Sequence, residues 1–258
     1  MVKELSTRAG LPSPMGRRKV RGTANLPAPR IGGMKTRAKS IEETPVSDRF
    51  RSAMAKLPLI AILRGVTTRE APAILEVLLG EGFTLIEIPL NSPDPLASIS
   101  AMRKMAPAEA FVGAGTALSA ADVGAVAGAG GDLVVTPNAD PEVIAAAKAR
   151  GMICLPGVAT PTEAFAALRA GADGLKAFPA EMIPPAAVKA WRAVVPGRIA
   201  ILPVGGISPG SMAAYVAAGA SGFGLGSALY KPGMTAGEVR ARAAGFVAAW
   251  REIARPPV

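Results

Sequence analysis

The 258-residue chain contains no histidine. The commonest general base and the commonest metal ligand are both missing, which excludes Ser-His-Asp hydrolysis and His-ligated zinc. Acid–base work must fall to carboxylates, lysine, tyrosine or water. The single cysteine, Cys154, excludes an internal disulfide, and its place in the apolar run MICLP reads as a small buried hydrophobe. Aromatic residues make up only 4% of the chain, against 50% apolar residues overall. That profile suits small helices packed tightly on a parallel sheet more than an aromatic binding surface. No apolar run is long enough to span a bilayer, so a soluble protein with no membrane partner is expected.

The net charge of +10 suggests nucleic acid until it is located. Residues 1 to 55 hold 12 Lys/Arg against 4 Asp/Glu, leaving 17 against 15 for the remainder. The basicity belongs to a tail, rich in Pro, Gly and Arg and without apolar period, which predicts disorder. Residues 1–54 are therefore read as a dispensable extension and 55–258 as a cytoplasmic catalytic body with no nucleic-acid partner. A transit peptide, an RNA-contacting arm and an over-extended start are the other readings of the tail.

From residue 57 onward, short apolar runs alternate with Ala-rich segments of helical period. Eight candidate strands fall at 58–64, 84–90, 110–115, 132–137, 152–157, 174–179, 199–205 and 222–226. Most are apolar at successive positions, as expected when both faces of a parallel strand are covered. Helices are predicted at 69–80, 119–129, 140–149, 161–170 and 209–218. Each ends in a glycine-bearing junction (LLGEGFTLI, VAGAGGDLV, AKARGMIC, LRAGADGLK, VAAGASGFG) that supplies a left-handed cap. Eight such units in about 200 residues predict an α/β fold, a compact (β/α)8 TIM barrel. An open doubly wound sheet is the alternative.

In a barrel of this kind strand interiors are apolar and catalytic groups gather at the carboxyl ends. Of the 48 charged residues, three stand inside or at the ends of strongly apolar strands: Arg64, Glu87 and Lys176. Pointing inward, Glu87 and Lys176 would share one cavity as either a structural ion pair or a catalytic couple. Desolvation that lowers a lysine pKa by about 3 units leaves a useful neutral fraction able to attack a carbonyl. The resulting Schiff base serves aldol cleavage without a metal or cofactor, with the carboxylate moving protons. The loops VGGISPGS (204–211) and GLGSALY (224–230) follow the last two strands, where barrel enzymes bind phosphate through backbone N–H groups. Arg64 is then free for a second anion such as an α-keto carboxylate. Thr116 offers a hydroxyl to the site or, equally, a cap to the next helix.

The motifs LPLIAILRG, EIPLNSP, VGAGT, TPNAD, LPGVATPTEA, GLKAFPAE, PVGGISP and GLGSALY together resemble the class I 2-keto-3-deoxy-6-phosphogluconate and 6-phosphogalactonate aldolases, from about residue 57 to 253. The resemblance implies that Lys176 forms the Schiff base and Glu87 is the acid/base. It further implies that Arg64 and Thr116 hold the pyruvyl carboxylate, and Gly205, Gly206, Gly226 and Ser227 the phosphate. The family is typically a homotrimer with no cofactor or metal. Asn91 and Val204 stand where phosphogluconate enzymes carry arginine and threonine, changes that alter the contacts open to the C4 hydroxyl. The expectation is a lyase of the phosphogalactonate branch, releasing pyruvate and D-glyceraldehyde 3-phosphate. The phosphogluconate epimer is the nearest alternative. A non-catalytic phosphosugar-binding barrel, or a protein acting through its tail, is the alternative of a different class.

Overall fold

The computed structural model of the protein describes residues 45–254. The first five strands in space order are β1 (Leu59–Ile62), β2 (Leu85–Pro89), β3 (Phe111–Gly115), β4 (Leu133–Val135) and β5 (Ile153–Leu155), each paired in parallel with the next. The chain resumes after Pro156 as β6 (Gly157–Val158), which pairs with β7 (Gly174–Ala177), and β7 with β8 (Ala200–Pro203). A bridge from Val204 to Gly224 carries the ring to β9 (Phe223–Leu225), which pairs with β1 and closes it. The sheet is therefore the expected barrel, not an open doubly wound sheet. The fifth predicted strand appears as two pieces because Pro156 has no N–H for the ladder; its carbonyl still accepts from Lys176 N at 2.9 Å.

Helix α1 (Pro45–Lys56) precedes the barrel, and α2 (Ala71–Gly80), α3 (Pro95–Met105), α4 (Ala120–Gly128), α5 (Pro141–Ala149), α6 (Pro161–Ala170), α7 (Pro185–Arg192), α8 (Pro209–Ala217) and α9 (Ala236–Ile253) cover its outside. All five predicted junctions carry a glycine at positive φ, from +67° at Gly151 to +102° at Gly171. Among the described residues no helix is long and apolar enough to cross a membrane.

Burial splits the strand residues into two alternating sets. Leu59, Ala61, Ile86, Val112, Val134, Cys154, Leu175 and Ile201 pack with the helices. Ile60, Leu85, Phe111, Leu133, Val135, Ile153, Leu155 and Leu202 pack with one another inside the barrel. Helix α1 joins that inner set through Phe50 and Ala53, with the Phe50 ring edge-on to Phe111 at 6.0 Å. The extension was expected to run in disorder to residue 54; residues 1–44 lie outside the described residues, but 45–54 are helical. Val46, Phe50, Ala53 and Met54 form a short apolar stripe at helical spacing, and their contacts with the inner layer supply the stability of a helix otherwise set in a basic, polar segment.

Candidate active site

Two residues beyond the inner apolar layer, the barrel changes character. Leu85 is followed on the same face by Glu87, Gly174 by Lys176, Leu202 by Val204 and Ile60 by Ile62. Together with the loops that follow the strands, these residues line a cavity of about 390 Å3 at the carboxyl ends. The strands next to the charged pair carry glycine: Glu87 is in register with Gly113, and Lys176 with Gly157. Gly115, two residues on from Gly113, is where the Glu87 carboxylate rests, since a Cβ built on it would meet Oε2 at 1.9 Å.

Glu87 is 2% exposed and Lys176 7%. Burial pushes the Glu87 carboxyl up to about 7, against the pull of Lys176 and Arg64. Burial likewise pushes the Lys176 ammonium below its ordinary value; Glu87 opposes that shift and Arg64 adds to it. Among the described residues no ion pair joins the two, and Glu87 Oε2 is buried without a hydrogen-bond partner. The Lys176 Nζ sits 4.5 Å from the centroid of the Phe178 ring. Burial thus works against the charge on both partners, an amine shifted toward its free-base form beside an acid able to give or take a proton near pH 7.

Arg64, Thr116, Val204, Gly205, Gly206, Gly226 and Ser227 line the same cavity. Thr116 does not cap the next helix: Ser119 does, in a reciprocal capping box with Asp122. Thr116 instead takes φ +59°, its N–H donating to Val135 O at 2.9 Å. Asn91 stands beside the cavity, hydrogen-bonded to one of its lining residues. It lies outside the lining residues, and its Oδ1 accepts a hydrogen bond from the Arg64 guanidinium. A short amide at this position reaches the neighbouring cation, Arg64. Cys154, whose thiol is pushed up to about 12 by burial, lies on the helix-facing side and away from the cavity lining.

Sequence reasoning missed Glu181 and Lys231, which also line the cavity. Both lie in loops, and a search for charge inside apolar strands passes over them. Their signal was adjacency, since Glu181 closes GLKAFPAE and Lys231 directly follows GLGSALY.

Residues 50–242 match the family model described as KDPG and KHG aldolase. The chain belongs to the KDPG and KHG aldolase family. A relative from Rhizobium meliloti (strain 1021), named probable 2-dehydro-3-deoxy-6-phosphogalactonate aldolase, is 53% identical over 203 residues, covering 79% of this chain and 96% of that one. The 2-dehydro-3-deoxy-6-phosphogalactonate aldolase of Escherichia coli (strain K12) is 48% identical over 197 residues, covering 76% and 96%. The solved structure titled "Native KDPGal structure" superposes with a TM-score of 0.75 at 47% identity, covering 77% of this chain and 96% of that one. This aldolase therefore shares its barrel and most of its length with these relatives, and the residues before 50 lie outside the family match.

Proposed function

We propose that this aldolase cleaves 2-dehydro-3-deoxy-6-phosphogalactonate to pyruvate and D-glyceraldehyde 3-phosphate through a Schiff base on Lys176. The observation that carries this reading is the pairing of a buried lysine, pushed toward its neutral form, with a buried carboxyl near pH 7 in one cavity. The neutral Lys176 amine adds to the C2 carbonyl, and the carbinolamine loses water to give an iminium. Loss of the C4 hydroxyl proton lets the C3–C4 pair move into the iminium, releasing the aldehyde and leaving an enamine. Protonation at C3 and hydrolysis return pyruvate and free amine. Glu87, directly or through water, moves the protons in each step. Arg64 receives the carboxylate, with Asn91 fixing the guanidinium. The amides of Gly205, Gly206, Gly226 and Ser227 face the phosphate.

The galactonate epimer is favoured by the names of the two relatives and by Val204, whose buried side chain lines the cavity where a hydroxyl would otherwise offer a hydrogen bond. A homotrimer, implied by the resemblance, and a cytoplasmic location, expected from the reading of the tail, complete the proposal; light scattering and fractionation check them. Incubation with pyruvate and borohydride, followed by peptide mapping, should place a reduced adduct on Lys176. No adduct, or one scattered over surface lysines, overturns the mechanism. Comparison of kcat/KM on the two C4 epimers then decides the substrate, and a preference for the gluconate epimer overturns that assignment.

A further inference from the structure

Five charged side chains line the cavity: Arg64, Lys176, Lys231, Glu87 and Glu181. On the reading above, a substrate brings a carboxylate and a phosphate. Arg64 is committed to the first, and Lys176 must be neutral to react. The phosphate end carries a like charge, because the Glu181 carboxylate lies on the glycine loop. A Cβ built on Gly205 would meet Glu181 Oε2 at 2.2 Å, and one on Gly206 would meet Oε1 at 3.2 Å. Backbone amides facing a phosphate there work against an adjacent anion.

Lys231 is the remaining lining cation among the described residues. Its position is built by the backbone. Gly226 O accepts from Leu229 N at 2.8 Å and from Tyr230 N at 3.0 Å, which turns the chain back over the cavity rim. The buried Tyr230 anchors one side of Lys231, and on the other Pro232 packs against Gly65, where a Cβ would meet its Cγ at 2.7 Å. The Lys231 N–H donates to Met234 Sδ at 3.2 Å, while its ammonium makes no ion pair among the described residues.

We propose that Lys231 binds the substrate phosphate, offsetting Glu181, and thereby sets the preference of this aldolase for 6-phosphorylated keto-deoxy acids over their unphosphorylated counterparts. The proposal rests on the phosphosugar reading of the site. The test compares wild type, Lys231→Met, Lys231→Arg and Glu181→Gln on the 6-phosphorylated acid and on the same acid lacking phosphate, with inorganic phosphate as inhibitor. Lys231→Met should lower the phosphorylated-to-unphosphorylated ratio of kcat/KM about 10-fold, chiefly through KM, as expected for one charge-assisted contact at a solvated rim. The effect should shrink in high salt. Lys231→Arg should restore most of the ratio, and Glu181→Gln should tighten inhibition by inorganic phosphate a few-fold. An equal loss on both acids, or an unchanged ratio, overturns the assignment. Failure of wild type to trap pyruvate on Lys176 instead overturns the aldolase mechanism itself, so the two failures are distinguishable.

Discussion

Glu87 ties activity to stability at a single side chain. Its carboxyl titrates at about 7 when folded and near 4.5 when not, because burial penalises the charged form. Between those values the folded chain holds a proton that the unfolded chain has released, so stability falls as pH rises through this window. Above about pH 7 the loss is complete, roughly 3 kcal/mol. Glu87→Gln removes the titration. Urea titrations should therefore find the variant more stable than wild type at pH 8 and nearly equal at pH 4, while its kcat/KM falls at least about 100-fold and loses the inflection near pH 7. An inflection that survives in the variant would assign it to another group. Lys176 and Glu87 were legible in the sequence because a charge in an apolar strand has few innocent explanations. Lys231 and Glu181 were not, because a charge in a loop has many. The bond from Arg64 to Asn91 was not legible either, because which way an exposed amide turns depends on a neighbour 27 residues away.

Strand β3 shows how one element serves both packing and chemistry through two glycines on the same face. A Cβ on Gly113 would meet the carbonyl oxygen of Leu133 at 1.8 Å, and backbone in a sheet cannot yield that distance. The nearest atoms to a Cβ on Gly115 all belong to the end of the Glu87 side chain, which can rotate. The two alanine substitutions should therefore separate. Gly113→Ala should destabilise by about 3 kcal/mol or more, as overpacking against a fixed neighbour does. Gly115→Ala should keep nearly the wild-type Tm yet lose about 10-fold or more in kcat/KM as the carboxylate is pushed aside. Thermal melts with steady-state rates check both, and equal behaviour of the two variants would refute the account. At this scale the sequence was informative wherever local chemistry dictates geometry, as in the five glycine junctions. It was less so where an alternative partner competes. Ser119 outcompetes Thr116 for the helix cap because Asp122 lies three residues on and completes the box.

Across the whole molecule the barrel has one end for chemistry and another that must be sealed against water. Helix α1 supplies the seal. Phe50 and Ala53 cover the inner layer, and Arg49 stands 3.8 Å from the centroid of the Phe111 ring and pairs with Asp132, which Arg103 also approaches at 3.5 Å. Composition drew the boundary of the catalytic body at residue 55 because the alternating apolar runs begin only at residue 57. Burial of Phe50 and Ala53 places α1 inside the catalytic body, and we propose that the folding unit includes this helix. Two truncations discriminate between the boundaries. Removing residues 1–44 should leave Tm and kcat/KM close to those of the full chain, whereas removing 1–56 should expose the inner aromatic layer and lower Tm sharply. Phe50→Ala in the full chain should reproduce much of that loss, about 3 kcal/mol for a buried phenylalanine. Because Phe50 touches the strand starts and the cavity opens at their far ends, the folded fraction of Phe50→Ala should retain its pyruvate trapping on Lys176. If the 1–56 truncation melts with the full chain, the inner layer is sealed without α1 and the folding unit begins after that helix.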